Sequence, residues 1–126
     1  DTLDLATAAT SITETDGVTI TDSELSGQLD LSAGAIVLNN LNAAANAVNI
    51  TASGAITDGN AGTNNITAGV LTITGNQAVT DIETAVDTLD LATAATSITA
   101  TAGVPMTQPE MSGELDLSAG AIVLKN

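Results

Sequence analysis

The sequence predicts an all-β solenoid built from coils of roughly 20 residues. Three observations carry that reading: a core vocabulary restricted to small aliphatics, a long internal repeat with a shorter one inside it, and alternating phrases punctuated by turn residues.

Composition sets the first constraint. The 126 residues include no Phe, Tyr, Trp, Cys or His, and the apolar 44% is Ala, Leu, Ile and Val with two Met. A globular core of this size is ordinarily anchored on aromatics, each of which buries a large apolar area. Without them the core must be assembled from many Leu, Ile and Val contacts, each worth about 1.5–3 kcal/mol when fully buried. A thin, regular, stacked core meets that requirement. Disorder is the competing reading of an acidic, aromatic-free chain; the positive mean hydropathy of +0.32 argues against it.

Charge narrows the partners. One basic residue, Lys125, stands against fifteen acidic ones, for a net charge of −14. Phosphate binding needs clustered Lys and Arg, so nucleic acid is not expected as a partner. Anionic membrane surfaces are disfavoured for the same reason. No run of about eighteen apolar residues is present, so membrane insertion is not expected either. The lack of cysteine removes disulfides and thiolate metal sites.

The chain repeats itself. Asp1–Thr13 returns unchanged as Asp87–Thr99, and Leu29–Leu38 returns as Leu115–Leu124, at an offset of 86 residues without insertion or deletion. Differences cluster between Glu14 and Gln28, where Pro105, Met106, Pro109 and Met111 replace Thr19, Ile20, Ser23 and Leu25. Residues 1–86 are therefore read as one full repeat of about four coils, and 87–126 as a partial second repeat continuing the same solenoid. The break partway through the second copy, with no starting Met, predicts a longer parent chain.

Within the 86-residue unit a shorter phrase recurs. Aliphatic–polar–aliphatic triplets stand at Leu3-Asp4-Leu5, Leu29-Asp30-Leu31, Val48-Asn49-Ile50 and Leu71-Thr72-Ile73, then at Leu89-Asp90-Leu91 and Leu115-Asp116-Leu117. Their flanking aliphatics form the expected core: Leu3, Leu5, Leu29, Leu31, Val48, Ile50, Leu71, Ile73, Leu89, Leu91, Leu115 and Leu117. Leu3 is expected to stack near Leu29, then Val48, then Leu71. Val18-Thr19-Ile20-Thr21 and the Val48 and Leu71 phrases alternate apolar with polar and are rich in β-branched residues, as half-buried strands require. Asp16-Gly17, Ser26-Gly27, Ser53-Gly54, Asp58-Gly59-Asn60 and Gly75-Asn76 mark turns. The Ala-rich stretch Leu41–Ala47 is short and reads as a loop or irregular corner. An immunoglobulin-like sandwich of similar size is the rival architecture, but it needs core aromatics and leaves the quarter-repeat unexplained.

The phrases VDTLDLATAATSIT, VTITDSELSG, VNITASGAITDGN and NNITAGVLTITGN resemble the repeats of very large bacterial secreted proteins of the filamentous-haemagglutinin type. The resemblance spans essentially the whole chain. It implies a right-handed β-solenoid (a β-helix), an extracellular or cell-surface location, and a role in adhesion, biofilm or extracellular fibres. It carries over no catalytic residue, because those repeats have none to match. The copy with Pro105, Met106, Pro109 and Met111 departs from the usual phrase.

Catalysis is not expected. Polysaccharide-cleaving β-helices pair Asp with Arg or Lys, or use two carboxylates. This chain lacks Arg, His, Cys and aromatics, and so lacks the common general bases, nucleophile partners and sugar-stacking platforms. Asp81 and Glu83 read as a solvated strand surface.

Calcium is the one cofactor the residues suggest, through Asp4, Asp30, Asp90 and Asp116 at the centres of four phrases. Asp4 and Asp30 are expected on successive coils roughly 5 Å apart, where like charges cost on the order of 1 kcal/mol even in bulk water. A hard divalent cation would relieve that repulsion. Asp22 with Glu24, and Asp58 with Asn60, are further oxygen clusters. None fits the EF-hand loop or the glycine-rich calcium nonapeptide, and a solvated acidic face explains the same residues.

Asn39, Asn40, Asn42, Asn46, Asn64 and Asn65 are expected at corners, where Asn tolerates left-handed backbone angles and forms hydrogen-bonded ladders. Asn49-Ile50-Thr51 and Asn65-Ile66-Thr67 fit a glycosylation sequon, a match that an Asn- and Thr-rich repeat produces by chance. Open coil edges make self the first expected partner, by axial continuation or as a head-to-tail polymer. The functional expectation is a structural segment of an extracellular bacterial fibre or giant surface adhesin. The alternatives are a module binding host or cell-surface glycans, through a coil face or the variable region Glu14–Gln28, and a calcium-dependent surface-layer component of sandwich repeats.

Overall fold

The structure is a computed structural model that describes residues 1–75, 77–93, 96–100, 104–107, 115–118 and 122–125. Its strands stack in parallel as a β-solenoid of about five turns, and no helix interrupts them among the described residues. The first coil carries β1 (Thr2–Leu3), β2 (Ala6–Thr7) and β3 (Thr10–Thr13), and the second β4 (Val18–Ile20), β5 (Ser23–Leu25) and β6 (Leu29–Ala33). The third holds β7 (Ile36–Leu38), β8 (Leu41–Asn42) and β9 (Ala47–Ala52). In the fourth, β10 (Ile56–Asp58) is followed by β11 (Ile66–Gly75), which supplies two faces; in the fifth, β12 (Val79–Ala92) runs through all three. The strands β13 (Thr96–Ala100), β14 (Val104–Thr107), β15 (Leu115–Ser118) and β16 (Ile122–Lys125) pair onward from β12.

Every strand pairing is parallel, which excludes the antiparallel sandwich. Parallel pairing needs a crossover between partners, and here the other two faces of the coil provide it. The three faces converge on a core of aliphatic columns. Leu29, Val48, Leu71 and Leu89 stack in register on the third face, as do Leu31, Ile50, Ile73 and Leu91. All eight are buried. On the first face Val18, Ile36, Ile56 and Val79 form a third column. Each removes its side chain from water against like side chains one coil away, and the core needs no aromatic anchor.

The first phrase stacks differently from the sequence expectation. Leu3 pairs with Ile20 on the first face, while Leu29 pairs with Thr10 and Leu31 with Ile12 on the third. Leu3 and Leu5 are half-buried and pack against the core from the first coil. The side chains of Leu115 and Leu117 lie outside the described residues. The identical segments Asp1–Thr13 and Asp87–Thr99 thus occupy different faces: Leu3 lies on the first face, its counterpart Leu89 on the third. An offset of 86 residues covers four coils and two further faces. The physical reason is that a short apolar–polar–apolar phrase satisfies any face, so its phase is set by coil length rather than by its own sequence.

Coil length varies. Successive partners on the third face are 19, 23 and 18 residues apart from Leu29 to Leu89. The longest coil carries the loop at 59–64, where Ala61 and Gly62 adopt left-handed backbone angles. At the tightest corners one coil leaves no room for a side chain on the next. A Cβ on Gly54 would lie 2.8 Å from the Ala35 nitrogen and 2.9 Å from its Cα, contacts that only glycine avoids.

The register is open to a direct check, because the chain has no native cysteine. Thr72 and Asp90 are in-register neighbours, and Cα atoms roughly 4.8 Å apart fall within disulfide range. A Thr72→Cys/Asp90→Cys double variant is expected to cross-link under mild oxidation, shown by a mobility shift on non-reducing gels. An Asp4→Cys/Asp30→Cys pair is expected to stay reduced in the monomer.

Candidate functional site

Two features stand out on the solenoid: a trough along the corner after the third face, and a polar network at the corner between the first and second. The trough encloses about 880 Å³ and receives residues from all five coils. Its wall is one outward column of the third face, in which Thr13, Ser32, Thr51 and Thr74 stack in register. Parallel strands place these hydroxyls roughly 4.8 Å apart. Its floor is the next column inward, Ala33, Ala52 and Gly75, whose small side chains make the corner recede. Glu14, at the first coil, is the one carboxylate that lines it.

The polar network centres on Asn65, which is fully buried. The two hydrogens of its Nδ2 are shared among three acceptors, the Leu38 carbonyl at 2.7 Å, Asp58 Oδ1 at 2.8 Å and Asn60 Oδ1 at 3.0 Å. Its Oδ1 accepts the Glu83 N–H at 2.8 Å, so one side chain ties three successive coils together. Asp58 in turn accepts the backbone N–H groups of Asn60, at 2.7 Å, and Ala61. The Asn60 side chain donates to the Asn39 carbonyl. The Asn60 N–H first, then the Asn65 amide, hold the Asp58 carboxyl below the usual carboxylate range. This network fixes the 59–64 loop against the stack; it leaves Asn65 no free amide, which makes that sequon unavailable for glycosylation.

The four phrase aspartates are not brought together. Asp4 is exposed just after β1, and Asp30 sits on the third face between Ser11 and Asn49. The expected Asp4–Asp30 stack is therefore absent, because the first phrase lies on another face. Asp30 is held below the ordinary carboxylate range by the Asn49 amide, at 2.6 Å, and then by the Gln28 amide. Asp90 lies beside Thr72, with Thr72 and Asn49 separating it from Asp30. The backbone of Asp116 pairs with Ser97; its side chain lies outside the described residues. Among the described residues no three acidic side chains form a group fit to hold a metal ion. Asp58 and Asn60 do converge, as expected from their spacing, and their oxygens accept backbone and amide hydrogens.

The hydroxyl ladder was missed from the sequence, although its signal is there. It is the polar residue that follows three of the third-face triplets, Ser32 after Leu29–Leu31, Thr51 after Val48–Ile50 and Thr74 after Leu71–Ile73; in the fifth coil Ala92 takes that place and the ladder ends. The chain matches no protein-family model, no curated protein and no solved structure.

Asn65→Ala is expected to lower stability by about 1–3 kcal/mol, since it strands the Glu83 N–H, while the Leu38 carbonyl keeps the Gly59 N–H; urea unfolding followed by circular dichroism measures this. Asp58 gives a pH signature. A carboxyl with a lowered folded pKa contributes stability above its unfolded value and loses it as pH falls through the folded value. The window lies below about pH 4, and the partial exposure of Asp58 keeps the effect small. The gap in melting temperature between wild type and Asp58→Ala should therefore be present at pH 6 and close on acidification toward pH 2.

Proposed function

We propose that the chain is a non-catalytic structural segment of an extracellular bacterial fibre or giant surface adhesin. The observation that carries this reading is the continuity of the core. On the third face the buried aliphatics from Leu29 and Leu31 to Leu89 and Leu91 meet aliphatic counterparts from coil to coil, so length is added by repetition of the same packing. The strand β12 runs across the boundary between the two sequence copies, with partners on both sides. The surface suits the same role. Among the described residues most large aliphatics face inward and most acidic side chains outward, which favours solubility and discourages side-to-side association. The resemblance to filamentous-haemagglutinin repeats agrees with this reading, and with a place outside the cell.

Electron microscopy of the native purified protein tests the proposal. Stiff filaments with an axial repeat of roughly 4.8 Å are expected. Discrete particles without that repeat would overturn it.

A further inference from the structure

We propose that the trough beside the third face is a binding site for a neutral, linear polysaccharide lying along the solenoid axis, about one sugar to a coil. The inference is independent of the fibre reading, since it rests on the trough alone.

The chemistry of the walls selects the ligand class. In β6, β9 and the third-face part of β11 the backbone N–H and C=O groups are spent on pairing with the coils on both sides. A peptide seeking strand addition therefore finds no open ladder in the trough. What faces the trough is a column of hydroxyls, and those of Thr13, Ser32, Thr51 and Thr74 have no partner within the protein among the described residues. A hydroxyl both donates and accepts, which matches the hydroxyl groups of a sugar better than any ligand of fixed polarity. Anions are repelled by a chain of net charge −14 with a single basic residue. A cation would find one carboxylate, Glu14, at one end. A neutral polyol remains.

Geometry then favours an extended polymer over a single sugar. The ladder repeats at the coil rise of roughly 4.8 Å, and five coils give the trough a length of about 20 Å. An extended β-1,4-linked chain advances per sugar by close to that same rise, so successive residues meet equivalent hydroxyls. The floor of Ala33, Ala52 and Gly75 leaves depth for the edge of a pyranose ring. With no aromatic in the chain, stacking contributes nothing. Each sugar is held weakly, and affinity accumulates with the number of coils engaged.

The test is a titration of the 15N-labelled chain, followed by NMR, with neutral oligosaccharides of two and six sugars from cellulose, xylan and chitin. At least one hexasaccharide is expected to shift the amides of the third face and its trailing corner, binding about tenfold or more tighter than its disaccharide. Thr51→Val/Thr74→Val removes two hydroxyls and keeps β-branched shape. It should weaken binding about tenfold with melting temperature unchanged, while Thr19→Val/Thr57→Val on the first face leaves binding intact. No shift with any hexasaccharide, shifts confined to another face, or equal affinity in the Thr51→Val/Thr74→Val variant would each overturn the proposal.

Discussion

Parallel, in-register stacking of one coil on the next is the constraint from which the rest of this structure follows. Because backbone hydrogen bonds run along the axis, the side chains nearest to a given one on the same face are its counterparts one coil away, not those two residues along the strand. A column is therefore the unit of energetics. Leu29, Val48, Leu71 and Leu89 bury one another, and a polar residue placed in that column would be stranded among all of them. The same rule makes small residues obligatory where coils turn tightly: beneath Gly54 the backbone of Ala35 fills the space a side chain would need. It also turns any outward position into a ladder, which is how four unremarkable hydroxyl residues become the wall of a trough.

Stacking imposes a cost on a chain of this charge, and the outward columns show how it is contained. On the third face the column beside the trough wall reads Ser11, Asp30, Asn49, Thr72 and Asp90. The two aspartates are three coils apart, roughly 14 Å, beyond a Debye length at physiological salt. Asn49 donates its amide to Asp30 rather than standing as another negative neighbour. Interleaving neutral polar residues removes the repulsion that a pure aspartate column would carry.

Much of the fold was legible because solenoid sequence and solenoid structure share a vocabulary. The triplets at Leu29, Val48, Leu71 and Leu89 are spaced by one coil each, and they stack as their spacing implies. The triplet at Leu3 was not legible, for a definite reason: its 26-residue separation from Leu29 is one coil plus two faces, and the phrase itself carries no mark of its face. The calcium expectation depended on that phase. The buried role of Asn65 was hidden in a different way. Its sequence context matches that of Asn49, in the same Asn-Ile-Thr phrase, yet Asn49 faces outward on a strand while Asn65 plugs the corner beneath a long loop. What separates them is the length of the coil each belongs to, a property that no local window contains.

The mismatch between the 86-residue repeat and the coil has a consequence for how such a chain lengthens. If buried columns required a particular phrase, a repeat that is not a whole number of coils would place the wrong residues inside. Here Leu3 and Leu89, identical in context, enter the core through different faces, and both find aliphatic neighbours. The core is indifferent to phase because every face accepts the same short aliphatics, which is also why it can forgo aromatics: a large ring would fit one cross-section and obstruct the next. Surface features are not indifferent. Each copy of the repeat presents its outward residues on a face displaced from that of the copy before, so a ladder such as Thr13–Ser32–Thr51–Thr74 persists only where local phrases happen to supply it. Scaffold and surface are thereby decoupled, and the length of the solenoid is set by duplication while its contacts are set coil by coil.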